Sequence, residues 1–131
     1  MKIELEETAI LRQKMRKGQV PFFRGSWIAD YPDGESFLTV FYGNNAAPPN
    51  YTHFKNDEFD RLYEAALAEN DNDKRYDLYH QMDRILIEEA PVIFLFYDET
   101  ALFSRKNISG LQPNGINLLK VDQIEKIKLI N

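Results

Sequence analysis

A chain of 131 residues that is 44% hydrophobic, 13% aromatic and 28% charged is long enough for one packed domain and too apolar for a disordered one. Its net charge of -5 argues against a nucleic-acid partner, since the Lys and Arg are scattered and the one cluster, Arg12-Lys14-Arg16-Lys17, reads as a solvated helix face. The absence of cysteine excludes a thiol nucleophile, a disulfide framework and Cys-ligated zinc.

No apolar run is long enough to span a bilayer. The opening Met-Lys-Ile-Glu-Leu-Glu-Glu does not read as a signal peptide, because acids at 4, 6 and 7 interrupt any apolar stretch. Two expectations follow: a cytoplasmic protein, or a mature or excised piece of an exported one.

In chain order, Lys2 to Glu6 alternates and reads as a short strand with Ile3 and Leu5 on one face. Thr8 to Lys17 reads as a helix with Leu11 and Met15 four apart and Ile10 beside them, and Gly18 is placed to end it in a left-handed conformation. Val20 to Ile28 reads as a second strand, so the opening has the order of a right-handed, parallel βαβ unit. Glu35 to Tyr42 reads as a short helix through Phe37, Leu38 and Phe41, its β-branched content being low for a strand. Gly43 to Asn50 reads as a loop, and Tyr51 to Lys55 is too short to assign.

Asn56 or Asp57 is a good helix N-cap, and Phe59, Leu62, Tyr63 and Ala66 then repeat at i, i+3, i+4, i+7. The acidic run Glu69 to Asp73 fails as a calcium loop: counted from Asp71, the places that need Gly and Glu hold Tyr76 and Met82. Asp71 or Asp73 reads instead as the N-cap of a helix to about Glu89, with Leu78, Met82, Ile85 and Leu86 as its stripe, Tyr79 near the edge and Pro91 as the stop. His80 falls on the polar side as a surface histidine, and His53 is equally without a metal-spaced partner. Val92 to Tyr97 reads as a strand buried on both faces. Ala101 to Arg105 reads as a further strand, Asn107 to Gly115 as turns, and Leu118 to Val121 as an edge strand. Ile124 to Ile130 fits strand and helix alike.

The chemistry concentrates in Phe22-Phe23-Arg24-Gly25-Ser26-Trp27-Ile28-Ala29-Asp30-Tyr31-Pro32-Asp33-Gly34. Its first half is strand-like. Its second half is a strand exit, where Pro32 favours extended geometry at Tyr31 and Asp33-Gly34 signals a turn. A cation, an indole and an acid stand three apart at Arg24, Trp27 and Asp30. On a regular strand Arg24 and Trp27 face opposite ways, unless a bulge near Gly25 changes the register. A core strand with a capping turn and a ligand-lined strand end both account for this composition.

The spelling Gly25-Ser26-Trp27-Ile28-Ala29-Asp30-Tyr31-Pro32-Asp33 resembles the "G-x-W-x-A-D-Y-P-D-P" segment of the extracytoplasmic solute-binding proteins of peptide ABC transporters, the family 5 or oligopeptide- and dipeptide-binding family. Three further blocks are similar to the same family in order and spacing. They are Tyr51 with Asn56-x-Glu58-Phe59-Asp60-x-Leu62-x-x-x-Ala66; Asp73-x-Arg75-x-x-x-Tyr79; and Ile85-Leu86-x-Glu88-x-Ala90-Pro91-Val92-Ile93 with Tyr97. Gly110 falls at the Gly of the family's "v-x-G" turn. Gly34 and Asp57 depart from it, each standing where many members have Pro, and Gly34 lies beside the expected ligand loop.

The resemblance covers essentially the whole chain but only the C-terminal part of the family's usual length. It implies an α/β, mixed α+β fragment of a two-lobed binding-protein fold with a βαβ unit, two central helices and a C-terminal set of strands. Residues 1–131 would form a single partial domain, about 1–50 ending the second lobe and about 51–131 returning toward the first. Asp30 resembles the residue that pairs with a peptide's α-amino group, Arg24 a cleft arginine that meets a carboxylate, and Trp27 an aromatic wall; Tyr31 adjoins them. A zwitterionic ligand in an enclosed cleft needs each terminal charge paired.

The function implied is extracytoplasmic capture of a peptide or other small solute for an ABC permease, periplasmic or membrane-anchored, with no catalysis, cofactor or metal. A sensing domain of the same fold in a regulator is the alternative within the family. A hydrolase using Asp30 and Asp33 is the reading outside it, and it lacks a G-x-S-x-G elbow or a cysteine. A segment with so many large apolar groups, separated from the rest of both lobes, is expected to self-associate, by strand exchange among other routes.

Overall fold

The computed structural model describes residues 3–97, 99, 101–112 and 121–127. Its core is a helical hairpin. The helices are α1 (Thr8–Arg16), α2 (Glu35–Leu38), α3 (Asp57–Ala68) and α4 (Asn72–Glu89), and the hairpin is α3 with α4; Asn56, in extended conformation, accepts the Phe59 N–H at 2.9 Å. Asn56 caps α3, and Asp71 caps α4 by accepting the N–H groups of Asp73 and Lys74 at 3.0 and 3.2 Å. The acidic run between these helices therefore serves as a cap.

The apolar face expected of α3 is buried throughout: Phe59, Leu62, Tyr63 and Ala66. Against it α4 lays Tyr79, Met82 and Leu86, with Leu78 and Ile85 partly buried. Tyr79 thus belongs to the core and not to its edge. Phe59 and Met82 are fully buried, each contributing about 1.5–3 kcal/mol from transfer alone. The short α2 and the 3-10 turn Thr39–Phe41 close this core with Leu38 and Phe41. Phe41, Phe54 and Phe59 meet edge to face at 5.7–6.5 Å.

The loop after this turn is pinned by the buried Asn50. Its amide donates to the carbonyls of Tyr42 and Phe54, and its oxygen accepts from Thr52 and Phe54. At the end of α1, Gly18 takes φ +64 as expected of a helix-ending glycine. Of the expected α1 face, Met15 is buried and Ile10 exposed. The ring Nε2 of His53 lies 2.9 Å from the Met15 carbonyl, which ties α1 to the loop. His80 is exposed. Ala90 ends α4 in left-handed conformation (φ 46), immediately before Pro91.

The strands differ from expectation. Among the described residues the sheet consists of β1 (Ile108–Ser109) and β2 (Glu125–Lys126), antiparallel, with Ile108 opposite Lys126 and Ser109 opposite Glu125. Gly110 follows β1 at φ +82, and a Cβ there would run into the Gln123 carbonyl. The helix of the expected βαβ unit is present, but residues 3–7 and 20–28 form no strand and do not pair. Val92 to Tyr97 is not a strand, and beyond Val92, which is partly buried against the core, it is exposed: Phe94 is 75% exposed and Phe96 68%. Ala101 to Arg105 is likewise irregular. The reason is common to all four. A strand needs a neighbour to take up its N–H and C=O groups, and none of these runs has one among the described residues. Residues 118–120 of the expected edge strand, the expected turn at 113–115 and residues 128–130 lie outside the described residues. The described part of the ambiguous 124–130 run is strand at β2. No helix among the described residues is long and apolar enough to cross a membrane.

Candidate functional site

The stretch from Arg24 to Gly34 is irregular backbone leading into α2, and Asp33 ties it to α4 of the helical hairpin. Asp33 Oδ1 accepts the Glu35 N–H and the Tyr79 hydroxyl, each at 2.9 Å, and Oδ2 pairs with the Arg75 guanidinium at 2.9 Å. Arg75 and Tyr79 are one helical turn apart on α4, so both reach the same partner. The guanidinium also lies 5.8 and 5.7 Å from the ring centroids of Tyr76 and Tyr79, within cation–π range. The Glu35 N–H holds the Asp33 carboxyl below its ordinary 3.8; partial burial opposes this, and Tyr79 and Arg75 add to it. Burial pushes the Tyr79 phenol up to about 12, and the hydrogen bond to Asp33 acts in the same direction.

Beside this anchor, the buried Glu35 accepts a hydrogen bond from the Tyr63 hydroxyl of α3. Burial, then that hydrogen bond, pushes the Tyr63 phenol upward. Tyr63 stacks on Tyr42 at 4.6 Å, whose hydroxyl donates to Glu64 at 2.6 Å. The turn entering α2 is thus held on both helices of the hairpin.

Ser36 gathers the preceding stretch. Only 1% exposed, it donates its N–H to the Asp33 carbonyl at 3.2 Å, accepts the Trp27 indole N–H on its own carbonyl at 2.7 Å, and accepts the Asp30 backbone N–H on Oγ at 2.9 Å. The structure therefore brings Trp27 and Asp30 together on one residue. Trp27 is 37% exposed, so its indole is fixed at the nitrogen while part of its surface stays accessible. The side chain of Asp30 is exposed, and its carboxylate makes no hydrogen bond or ion pair among the described residues. Tyr31 is exposed, with its carbonyl accepting the Asp33 N–H at 2.8 Å. Arg24 is not drawn to Ser36; its guanidinium stands 5.8 Å over the Phe96 ring.

The sequence alone points to Arg24, Trp27, Asp30 and Tyr31 as site residues, and does not place Ser36, Arg75 or Tyr79 at the site. A signal for the last two was present: a cation and a phenol at i and i+4 at the start of a capped helix are placed to share one acid. For Ser36 the local signal was its position three residues after Asp33 in a turn that opens a helix.

No protein-family profile matches the chain. Comparison with curated proteins does find relatives. The chain is 31% identical over 114 residues to the dipeptide-binding protein DppE of Bacillus subtilis, covering 87% of this chain and 20% of the relative. It is 29% identical over 116 residues to the "Probable D,D-dipeptide-binding periplasmic protein DdpA" of Escherichia coli, covering 87% and 22%. It is 31% identical over 88 residues to heme-binding protein A of Haemophilus influenzae, covering 66% and 16%. The chain spans about a fifth of the length of the first relatives it matches. With two relatives 31% identical over 83% and 87% of its length, the chain belongs to the family 5, oligopeptide- and dipeptide-type, solute-binding proteins.

Proposed function

We propose that this chain is the C-terminal part of a solute-binding protein that captures small peptides outside the cytoplasm and presents them to an ABC permease, performing no chemistry on them. Residues from 1 to about 50 would end the second lobe, and the remainder would return toward the first. The observation that carries the peptide reading is the exposed carboxylate of Asp30, without a partner among the described residues, on a residue whose backbone N–H is bound to Ser36, as is the Trp27 indole. An α-amino group is a fitting partner for it: a charge entering a partly desolvated site gains most where the opposite charge is already fixed. Trp27 would form an aromatic wall. Arg24 would meet the ligand carboxylate on leaving the Phe96 ring, and Tyr31 would border the site.

The test is titration calorimetry of the intact solute-binding protein with tri-alanine and its N-acetyl form. Tri-alanine is expected to bind and the acetylated peptide to bind at least about tenfold more weakly, the cost of one charged hydrogen bond. Asp30→Ala should abolish that difference. Unchanged tri-alanine binding in Asp30→Ala sinks the peptide assignment. The similarity to a heme-binding protein favours a second reading, a planar apolar solute against the indole. Heme binding in the same assay that survives Asp30→Ala and is lost in Trp27→Ala would establish it instead.

A further inference from the structure

We infer that Ser36 is a positioning residue for the candidate peptide-amine site, fixing Trp27 and Asp30 relative to each other and to the helical hairpin; this rests on the ligand role proposed for Asp30. Asp30 and Trp27 lie on a stretch with no helix or strand of its own. A carboxylate on such backbone would sample many directions, and binding would have to offset the ordering of that backbone. Ser36 removes this freedom at two points, the Asp30 N–H on Oγ and the Trp27 indole on the carbonyl. Its own N–H is bound to the Asp33 carbonyl, and the Asp33 carboxylate is clamped by Arg75 and Tyr79 of α4. The indole, the amine-facing acid and the longest helix are therefore joined through one buried serine.

The two ends of this arrangement differ in exposure, and that separates positioning from support. Ser36 is buried and Asp30 is exposed, and Ser36→Ala removes a single hydrogen bond between them, the one at Oγ. Ser36→Ala also retains the carbonyl that holds Trp27. Its expected effect is thus small on folding and larger on the direction of the acid.

The experiment combines backbone amide exchange with peptide titration on the intact protein. In the wild type, the Asp30 amide should exchange at least about tenfold more slowly than that of Ala29, which has no partner among the described residues. Ser36→Ala should erase this protection with helix content retained. Tri-alanine affinity should fall about five- to tenfold, and the preference over N-acetyl-tri-alanine should shrink by the same factor. An unprotected Asp30 amide in the wild type overturns the inference without any variant. So does a Ser36→Ala protein that keeps the full preference for the free amine. A wild type that protects the amide yet shows no preference overturns the ligand role of Asp30, and with it the site that Ser36 would serve, while the anchoring itself is established by the exchange. The two failures are thereby distinguishable.

Discussion

A carboxylate that accepts a backbone N–H, a phenol and a guanidinium is favoured in its ionised form, and Asp33 is such a group. Because its folded pKa lies below the ordinary 3.8, its stabilising contribution is fully present above that pH and is lost as pH falls through the folded value. Asp33→Asn is expected to lower stability by about 1 kcal/mol at neutral pH, after discounting for solvent screening, and the gap to wild type should close in acid below 3.8. Thermal melts across pH check this; a gap that does not change with pH would contradict it. The neighbouring Gly34 stands where the family often has Pro, and its φ of -60 already suits a pyrrolidine ring. The Ser36 N–H bond to the Asp33 carbonyl makes Gly34 the second residue of a turn, where Pro is favoured. A side chain there would touch the Tyr79 ring at 3.3 Å, a contact that asks for a small ring shift. Gly34→Pro should therefore raise stability by about 0.4–1 kcal/mol, read as a higher Tm; a lower Tm would mean the ring cannot move. Asp33-Gly34 was legible as a turn because that signal is local. That Asp33 is the acid which Arg75 and Tyr79 share was not, because it lies more than forty residues from them and their i, i+4 spacing does not say which acid they meet.

The helices were the legible elements. α3 and α4 announce themselves by apolar spacing, which depends on neighbours three and four residues away, and by a cap at each start. Asn56→Ala should cost about 1 kcal/mol in chemical denaturation, with a reduced midpoint and an unchanged slope; no change would remove Asn56 as the cap. The strands were not legible to the same degree, since pairing is a property of two stretches and not of one. Val92 to Tyr97 has the composition of a buried strand, yet Ile93 to Tyr97 lies exposed. Between elements, Tyr79 links α4 to the turn and titrates accordingly. Its phenol, raised from 10.0 to about 12, contributes stability that is fully present below pH 10 and is lost progressively as pH rises toward 12. Tyr79→Phe should reduce this alkaline loss, followed by the helical signal against pH. An identical alkaline profile in the variant would show that another group governs it.

Across the whole molecule, packing is uneven. The hairpin, α2 and the aromatic trio form a buried apolar core, while Ile3, Leu5 and the run from Ile93 to Tyr97 face outward. Contiguous apolar surface of this kind promotes association. The isolated chain is expected to sediment as a dimer or larger species, and Phe94→Lys with Phe96→Lys should shift it toward monomer; a monomeric wild type would refute the expectation. The candidate site follows the same division. The residues that would face a ligand were legible from a spelled motif, whereas the packing that holds them, centred on Ser36, became visible only with the fold. Trp27 is the sole tryptophan of the chain, half fixed by its nitrogen and half open to water. The protein thus contains its own optical reporter. Its ultraviolet emission comes from one indole at the edge of the candidate site. A solute that displaces water from that ring would shift the emission to shorter wavelength, and occupancy could be followed by light alone, without a label.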